Sequence, residues 1–260
     1  MNDGRGGAVV LKLGGSVVTE KSVPETVDED ALDAVTEAIA ERFDDSRDED
    51  RTTTTRLVLV HGGGSFGHHH AAEHGITPTA GSHDGRAVHE IHHAMKRLNA
   101  AVLERLHDSG VPALPVHPLS AGSRNRDGEL GFPIGQVETM LAEGFVPVLH
   151  GDVISHRGEG ATIVSGDELV VSLGRDLEAD RVGLCSAVPG VLDSEGSVIP
   201  AIDEYEAVAD ALGASDTTDV TGGMAAKVRA LLELPVPAYV FGIDALAGFL
   251  DEEPVGTRIG

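Results

Sequence analysis

The sequence predicts an α/β fold, a mainly parallel β-sheet covered by helices on both faces. Short Val- and Leu-rich runs alternate with amphipathic helical stretches from one end of the chain to the other. Some of these runs are apolar throughout, as strands buried on both faces require. Two of them end in Gly-rich turns, and repeated strand–loop–helix units build parallel sheets.

The elements follow in order. Residues 8–13 (AVVLKL) are a β-rich run that stops at Gly14-Gly15-Ser16. Residues 28–43 place Leu32, Val35, Ile39 and Phe43 on one face at helical spacing. Residues 44–55 (DDSRDEDRTTTT) contain nothing apolar and are expected to form a solvated loop. Residues 57–60 (LVLV) read as a buried strand that runs into His61-Gly62-Gly63-Gly64-Ser65. A long helix over residues 85–107 carries Val88, Ile91, Met95, Leu98 and Val102 as one stripe. Further strands are expected at 113–116, 146–149, 181–184 and 238–241, and a final helix at 224–232. No internal repeat and no Pro/Ser-rich linker divides the chain, so residues 1–260 read as one domain whose lobes share a sheet.

Composition narrows the function. With 260 residues and 41% apolar content the chain can bury a sizeable core. Aromatic content is 3%, so aliphatic side chains must build that core and there are few platforms for stacking nucleic-acid bases. Nineteen Lys and Arg against 43 Asp and Glu give a net charge of −24. Such a surface repels phosphate backbones and anionic membranes, so neither nucleic acid nor membrane is an expected partner. Only four of the 19 basic residues are lysine: Lys12, Lys21, Lys96 and Lys227. An acidic, Lys-poor surface suits concentrated salt, where the Debye length shrinks to about 3 Å at 1 M. This reads as a halophilic signature. A single cysteine, Cys185, excludes an internal disulfide and favours a reducing compartment. No apolar run reaches the roughly 18 residues of a membrane span, and the polar, Gly-rich start is unlike a signal peptide. A cytoplasmic location is expected.

In open α/β sheets, ligands bind beyond the carboxyl ends of the strands. Two Gly-rich turns lie at such ends, Lys12-Leu13-Gly14-Gly15-Ser16 and Gly62-Gly63-Gly64-Ser65-Phe66-Gly67. Successive N–H groups in such turns form an anion nest, and a following helix N-terminus adds to it. Gly62-x-Gly64-x-x-Gly67 also matches a dinucleotide fingerprint, but Asp84, the acid near the required spacing, has no strand before it. There is no Walker A sequence and no Gly-x-Ser-x-Gly elbow.

The scarce lysines mark places that need a point cation. Lys12 sits in an apolar strand one step before a Gly turn, where a charge is costly unless it faces an anion. Lys21 follows the same turn, and Lys227 follows Gly222-Gly223-Met224. Lys96 lies on the polar side of a helix. Three ammonium groups near Gly-rich turns suit phosphoryl transfer, whose transition state spreads negative charge over oxygens. His68-His69-His70 and His74 invite a metal, but consecutive side chains diverge and no cysteine is near, so no protein metal ligand is expected. His89, His92 and His93 read as solvated or packed. His68, directly after Ser65-Phe66-Gly67, can reach an anion held in the Gly62–Gly64 turn. Asp152 and Asp167 could each orient a lysine, cap a helix or assist a metal.

Taken together, Lys12-Leu13-Gly14-Gly15-Ser16, His61-Gly62-Gly63-Gly64-Ser65-Phe66-Gly67-His68, Gly151-Asp152, Ser165-Gly166-Asp167, Thr221-Gly222-Gly223-Met224-Ala225-Ala226-Lys227 and Gly256-Thr257 resemble the amino acid kinase superfamily. Within it, His68 and the nearby Lys21 resemble the isopentenyl phosphate kinases. The resemblance implies an open αβα sandwich, usually homodimeric, with an acceptor-binding lobe (1–175) and a nucleotide-binding lobe (176–260). It implies transfer of phosphate from ATP, with Mg²⁺, to isopentenyl phosphate or a related isoprenoid monophosphate. Lys12, Lys21 and His68 would be catalytic. Lys12, Gly14, Gly15, Ser16, Gly64, Gly223 and Lys227 would bind ATP. Gly63, His68, Gly151 and Asp152 would bind the acceptor, with Ile91, Met95 and Leu98 offering a slot for its tail. Ala187 departs from the family, in which many members carry Asp in the segment bordering the nucleotide. A sister kinase acting on a carboxylate or nucleotide, and a non-catalytic nucleotide sensor, remain alternatives.

Overall fold

The structure is a computed structural model that describes residues 7–45, 56–213 and 223–260. β1 (Val9–Leu13) passes through Gly14 into the single-turn helix α1 (Gly15–Val18), followed by α2 (Glu29–Asp45). Asp28 opens α2, its carboxylate accepting from Ala31 N–H at 3.1 Å. β2 (Leu57–His61) leads into α3 (Gly64–His74), and α4 (Gly85–Asp108) follows, capped by Asp84. Next come β3 (Ala113–Pro115), α5 (Pro118–Ala121), β4 (Ser123–Arg124), β5 (Leu130–Gly131), α6 (Gly135–Ala142) and β6 (Val146–His150). β7 (Asp152–His156) and β8 (Gly160–Val164) form a hairpin ahead of α7 (Gly166–Asp176). The remainder is β9 (Arg181–Ser186), β10 (Ala201–Ile202), α8 (Ala209–Gly213), α9 (Gly223–Leu232), β11 (Ala238–Gly242), α10 (Leu246–Leu250) and β12 (Thr257–Ile259).

Eight strands make one sheet in the order β10-β12-β11-β9-β1-β2-β6-β3. Every neighbouring pair is parallel except β11 with β12. Strands from residues before 176 fill one half and those after it the other, meeting where β1 pairs β9. Both halves of the chain therefore contribute to one sheet. β2 and β6 are buried at all five positions, which explains their unbroken apolar sequences. Successive side chains point to opposite faces. Val10, Val58, Val60 and Leu149 face α6, α7 and α9 through Val137, Leu169, Leu173 and Val228. Leu11, Leu13, Leu57 and Leu59 face α2, α4 and α10 through Leu32, Ile39, Val102 and Phe249. This is the αβα sandwich.

Three expectations need correcting. A second sheet, β5-β4-β7-β8, accompanies the first. Its strands are short, and only Gly151 separates β7 from β6, so the sequence reads as one run there. The helix at α9 is not the last, because α10 follows it. Of the loop expected over residues 44–55, Asp44 and Asp45 belong to α2, and residues 46–55 lie outside the described residues. Among the described residues no helix is long and apolar enough to cross a membrane.

Candidate active site

The carboxyl ends of β1, β2 and β6 lie level, with Leu13 opposite His61 and His61 opposite His150. The glycines that follow these strands therefore converge. Gly62 N–H donates to Leu13 O at 2.9 Å, and Gly151 N–H to His61 O at 3.0 Å. A Cβ on Gly15 would lie 2.3 Å from Gly64 N, and one on Gly62 would lie 2.5 Å from Gly15 N. These glycines are needed because the two turns pack backbone to backbone. Gly63 has φ −73° and ψ −26°, and Gly64 has φ +47°. A right-handed residue followed by a left-handed one turns successive N–H groups to one side, which makes a nest at the start of α3. The segment holding Ala187 borders the same place, as a Cβ on Gly14 would lie 3.1 Å from Cys185 O.

Lys12 is 8% exposed, and its Nζ lies 2.6 Å from Asp167 Oδ1. Of the roles the sequence allows Asp167, orienting a lysine is the one observed. Capping of α7 falls to Ser165, whose Oγ accepts from Glu168 N–H at 3.1 Å. Gly166 gives the lysine room, because a Cβ there would lie 3.1 Å from Lys12 Cε. Lys227 stands in the second turn of α9 and, with Ser165, Asp167 and Arg175, lines a cleft of about 650 Å³. Lys12 thus meets Asp167 directly, and Lys227 shares a cleft with it. Gly223 opens α9 and is buried, while Thr221 and Gly222 lie outside the described residues.

Lys21 is exposed on the loop between α1 and α2. That loop is tied to α3 by contacts the sequence did not reveal. Thr19 Oγ1 accepts from Ser65 N–H at 3.0 Å and donates to Gly15 O at 2.7 Å. Glu25 meets His70 Nε2 at 2.6 Å and the Arg97 guanidinium. Burial opposes its charge, but His70 and Arg97 together hold its carboxyl below the usual range. His68 is exposed on α3, one turn beyond Gly64. Its neighbours in the tract diverge, with His74 meeting Glu90 at 2.8 Å. Among the described residues no group of three or more His, Cys, Asp or Glu is arranged to hold a metal ion.

Asp152 neither orients a lysine nor caps a helix. Its Oδ2 lies 2.8 Å from His92 Nδ1, and its Oδ1 accepts from Val153 N–H at 2.8 Å. His92 is therefore paired rather than solvated. Gly151 sits at the convergence, since a Cβ there would lie 3.5 Å from Gly166 N and 3.8 Å from Gly63 N. Ile91, Met95 and Leu98 are core residues, each at most 1% exposed. Met95 supports the nest from below, its Sδ lying 3.6 Å from where a Gly63 Cβ would be.

Sequence reasoning missed a buried histidine network beneath the nest. His61 and His150 stack with ring centroids 5.5 Å apart. His61 Nδ1–H donates to Gly62 O at 3.1 Å, and His150 Nδ1–H to Gly151 O at 3.0 Å. His117 Nδ1–H donates to His150 Nε2 at 2.9 Å. Burial pushes His61 down and His150 down to about 3, so both rings are neutral. Asn99 Oδ1 is placed 3.1 Å from His61 Nε2; because a neutral His61 has given its one N–H to Gly62 O, its Nε2 can only accept, which assigns the Asn99 amide the reversed orientation with NH₂ toward the ring. One signal was legible: each histidine ends an apolar strand and precedes a glycine.

Comparison with known proteins adds to this geometry. The amino acid kinase family model matches residues 7–235. The chain is 64% identical over 251 residues to the isopentenyl phosphate kinase of Haloferax volcanii, spanning 96% of this chain and 98% of that protein. It is 31% identical over 242 residues to the isopentenyl phosphate kinase of Methanocaldococcus jannaschii, spanning 89% of each. An X-ray structure of isopentenyl phosphate kinase superposes with a TM-score of 0.79 at 27% identity, covering 97% of this chain and all of the other (100%).

Proposed function

Since the chain belongs to the amino acid kinase family, we propose that it transfers the γ-phosphoryl group of ATP to isopentenyl phosphate, giving isopentenyl diphosphate and ADP. The observation that carries this reading is Lys12, held by Asp167 at 2.6 Å where the Gly-rich ends of β1, β2 and β6 converge.

The chemistry asks little covalent work of the protein. A phosphate monoester is already a nucleophilic anion and needs no strong base. The difficulty is to bring two anions together, which preorganised cations and N–H groups achieve. Gly14, Gly15, Ser16 and Gly64 cradle the ATP phosphates, with Lys227 and Gly223 of α9 on the nucleotide side. Lys12 and Lys21 meet the transferring group, and Lys21 offsets the charge that develops there. Gly63, His68 and Gly151 hold the acceptor phosphate. The Asp152 carboxylate is committed to His92 and Val153 and Gly151 N–H to His61 O, so Gly151 contributes by its lack of a side chain, which leaves room for the phosphate. Mg²⁺ would enter with the nucleotide, held by its phosphates, and would supply charge neutralisation there. Residues 1–175 form the acceptor lobe and 176–260 the nucleotide lobe of a cytoplasmic homodimer that works in concentrated salt.

The test is a substrate panel with Mg-ATP in concentrated KCl: isopentenyl phosphate, acetylglutamate and UMP. Isopentenyl phosphate is expected to be the best acceptor. Preference for acetylglutamate or UMP would assign a sister activity, and tight ATP binding without turnover would indicate a sensor. With a net charge of −24, activity is expected to fall as KCl is diluted toward 0.1 M, where the Debye length is about 10 Å.

A further inference from the structure

Two fully buried histidines lie beneath the acceptor cradle, in register on neighbouring strands, and each spends its one ring proton on the carbonyl of the glycine that follows it. We infer that His61 is a positioning residue for the acceptor phosphate: by holding the carbonyl of Gly62 inward, it fixes the backbone that presents Gly63 N–H to the anion, while His150, stacked on it, braces its ring. The inference rests on the reading that Gly63 binds the acceptor.

A trans peptide is planar, so its C=O and N–H point in opposite directions. Holding Gly62 O toward His61 therefore turns Gly63 N–H to the other side, into the nest. Gly62, Gly63 and Gly64 have no side chains to restrain them, and such a run loses more conformational entropy on ordering than any other. An unanchored Gly62–Gly63 peptide would sample orientations that point its N–H away from the ligand. His61 can serve as an anchor because it is itself held, by Asn99 of α4 at one ring nitrogen and by stacking on His150. His150 makes the same bond to Gly151 O and is held by His117, so the ring stacked on His61 is itself fixed. A neutral ring suits the task, as one nitrogen donates to the glycine while the other accepts from its support.

The test uses two substitutions with opposite losses. In His61→Asn the amide nitrogen replaces Nδ1 and keeps the bond to Gly62, losing the one to Asn99. In His61→Gln the amide replaces Nε2 and keeps Asn99, losing Gly62. His61→Asn is expected to leave the KM for isopentenyl phosphate within about threefold of wild type. His61→Gln is expected to raise it on the order of tenfold, with the KM for ATP unchanged. Equal acceptor KM values in two variants of similar thermal stability would show that His61 only fills the core, and would overturn the inference. If a His61 variant fails to fold, Asn99→Ala, which removes the support of the His61 ring, is expected to raise the same KM, and an unchanged KM there would overturn the inference. Calorimetric binding of isopentenyl phosphate supplies the readout where turnover is lost. The wild-type panel tests the acceptor's identity separately: if another anion is preferred, the proposed function falls and the variants are compared with that anion.

Discussion

Gly15→Ala probes the contact on which the site is built. Gly15 does not adopt a left-handed φ, so alanine is compatible with its backbone. The obstacle is steric. The new Cβ would lie 2.3 Å from Gly64 N and 2.6 Å from Gly64 Cα, both backbone atoms. Ordinary contact is about 3.5 Å, so the β1 and β2 turns must separate by about 1 Å. Overpacking of this kind costs about 1–3 kcal/mol, or about 2–12 °C in Tm for a domain of this size. The functional loss should be larger, since a displacement of about 1 Å in a reacting constellation can cost about 100-fold in rate. The assay is kcat with Mg-ATP and isopentenyl phosphate, alongside thermal unfolding in the same salt. Gly85→Ala is the control: nothing lies within 4 Å of where its methyl group would stand at the start of α4, and activity should be unchanged. Wild-type kcat and Tm in Gly15→Ala would refute the backbone-to-backbone packing of the turns.

Two further outcomes are expected. Asp167→Asn removes the charge that orients Lys12, and kcat should fall about 10- to 100-fold, the equivalent of a charge-assisted hydrogen bond; wild-type kcat would show that Lys12 is placed by other contacts. The buried histidines should also make stability depend on pH. Unfolded histidine titrates near pH 6.5, whereas burial holds folded His150 down to about 3. Below about pH 6.5 the unfolded chain therefore binds protons that the folded chain refuses. Stability is lost as pH falls from there toward 3, by up to about 1.4 kcal/mol per pH unit for each such histidine, and these groups contribute no slope above it. Thermal melts across this range should be less steep for His150→Gln than for wild type, and equal slopes would contradict the assignment.

The sequence by itself determined the layered α/β fold and the Gly-rich turns around which the candidate site is built. Runs such as LVLV can only be satisfied between two apolar layers. Lysines kept in a chain that has almost none identify where cations are required. Lys12 in a buried strand was legible for that reason, because burial makes an unpartnered charge costly. The tertiary structure alone decided which partners meet. Nothing local distinguishes Asp167, which holds Lys12 from 155 positions away, from Asp152, which turns to His92. Helical spacing placed Ile91 and Met95 on one face, but their burial as core depended on what α4 packs against. His61 and His150 lie 89 positions apart and stack only because β2 and β6 are neighbours in register. Periodicity records which side of an element is apolar; long-range pairing sets which polar groups face each other, and so where the protons and charges sit.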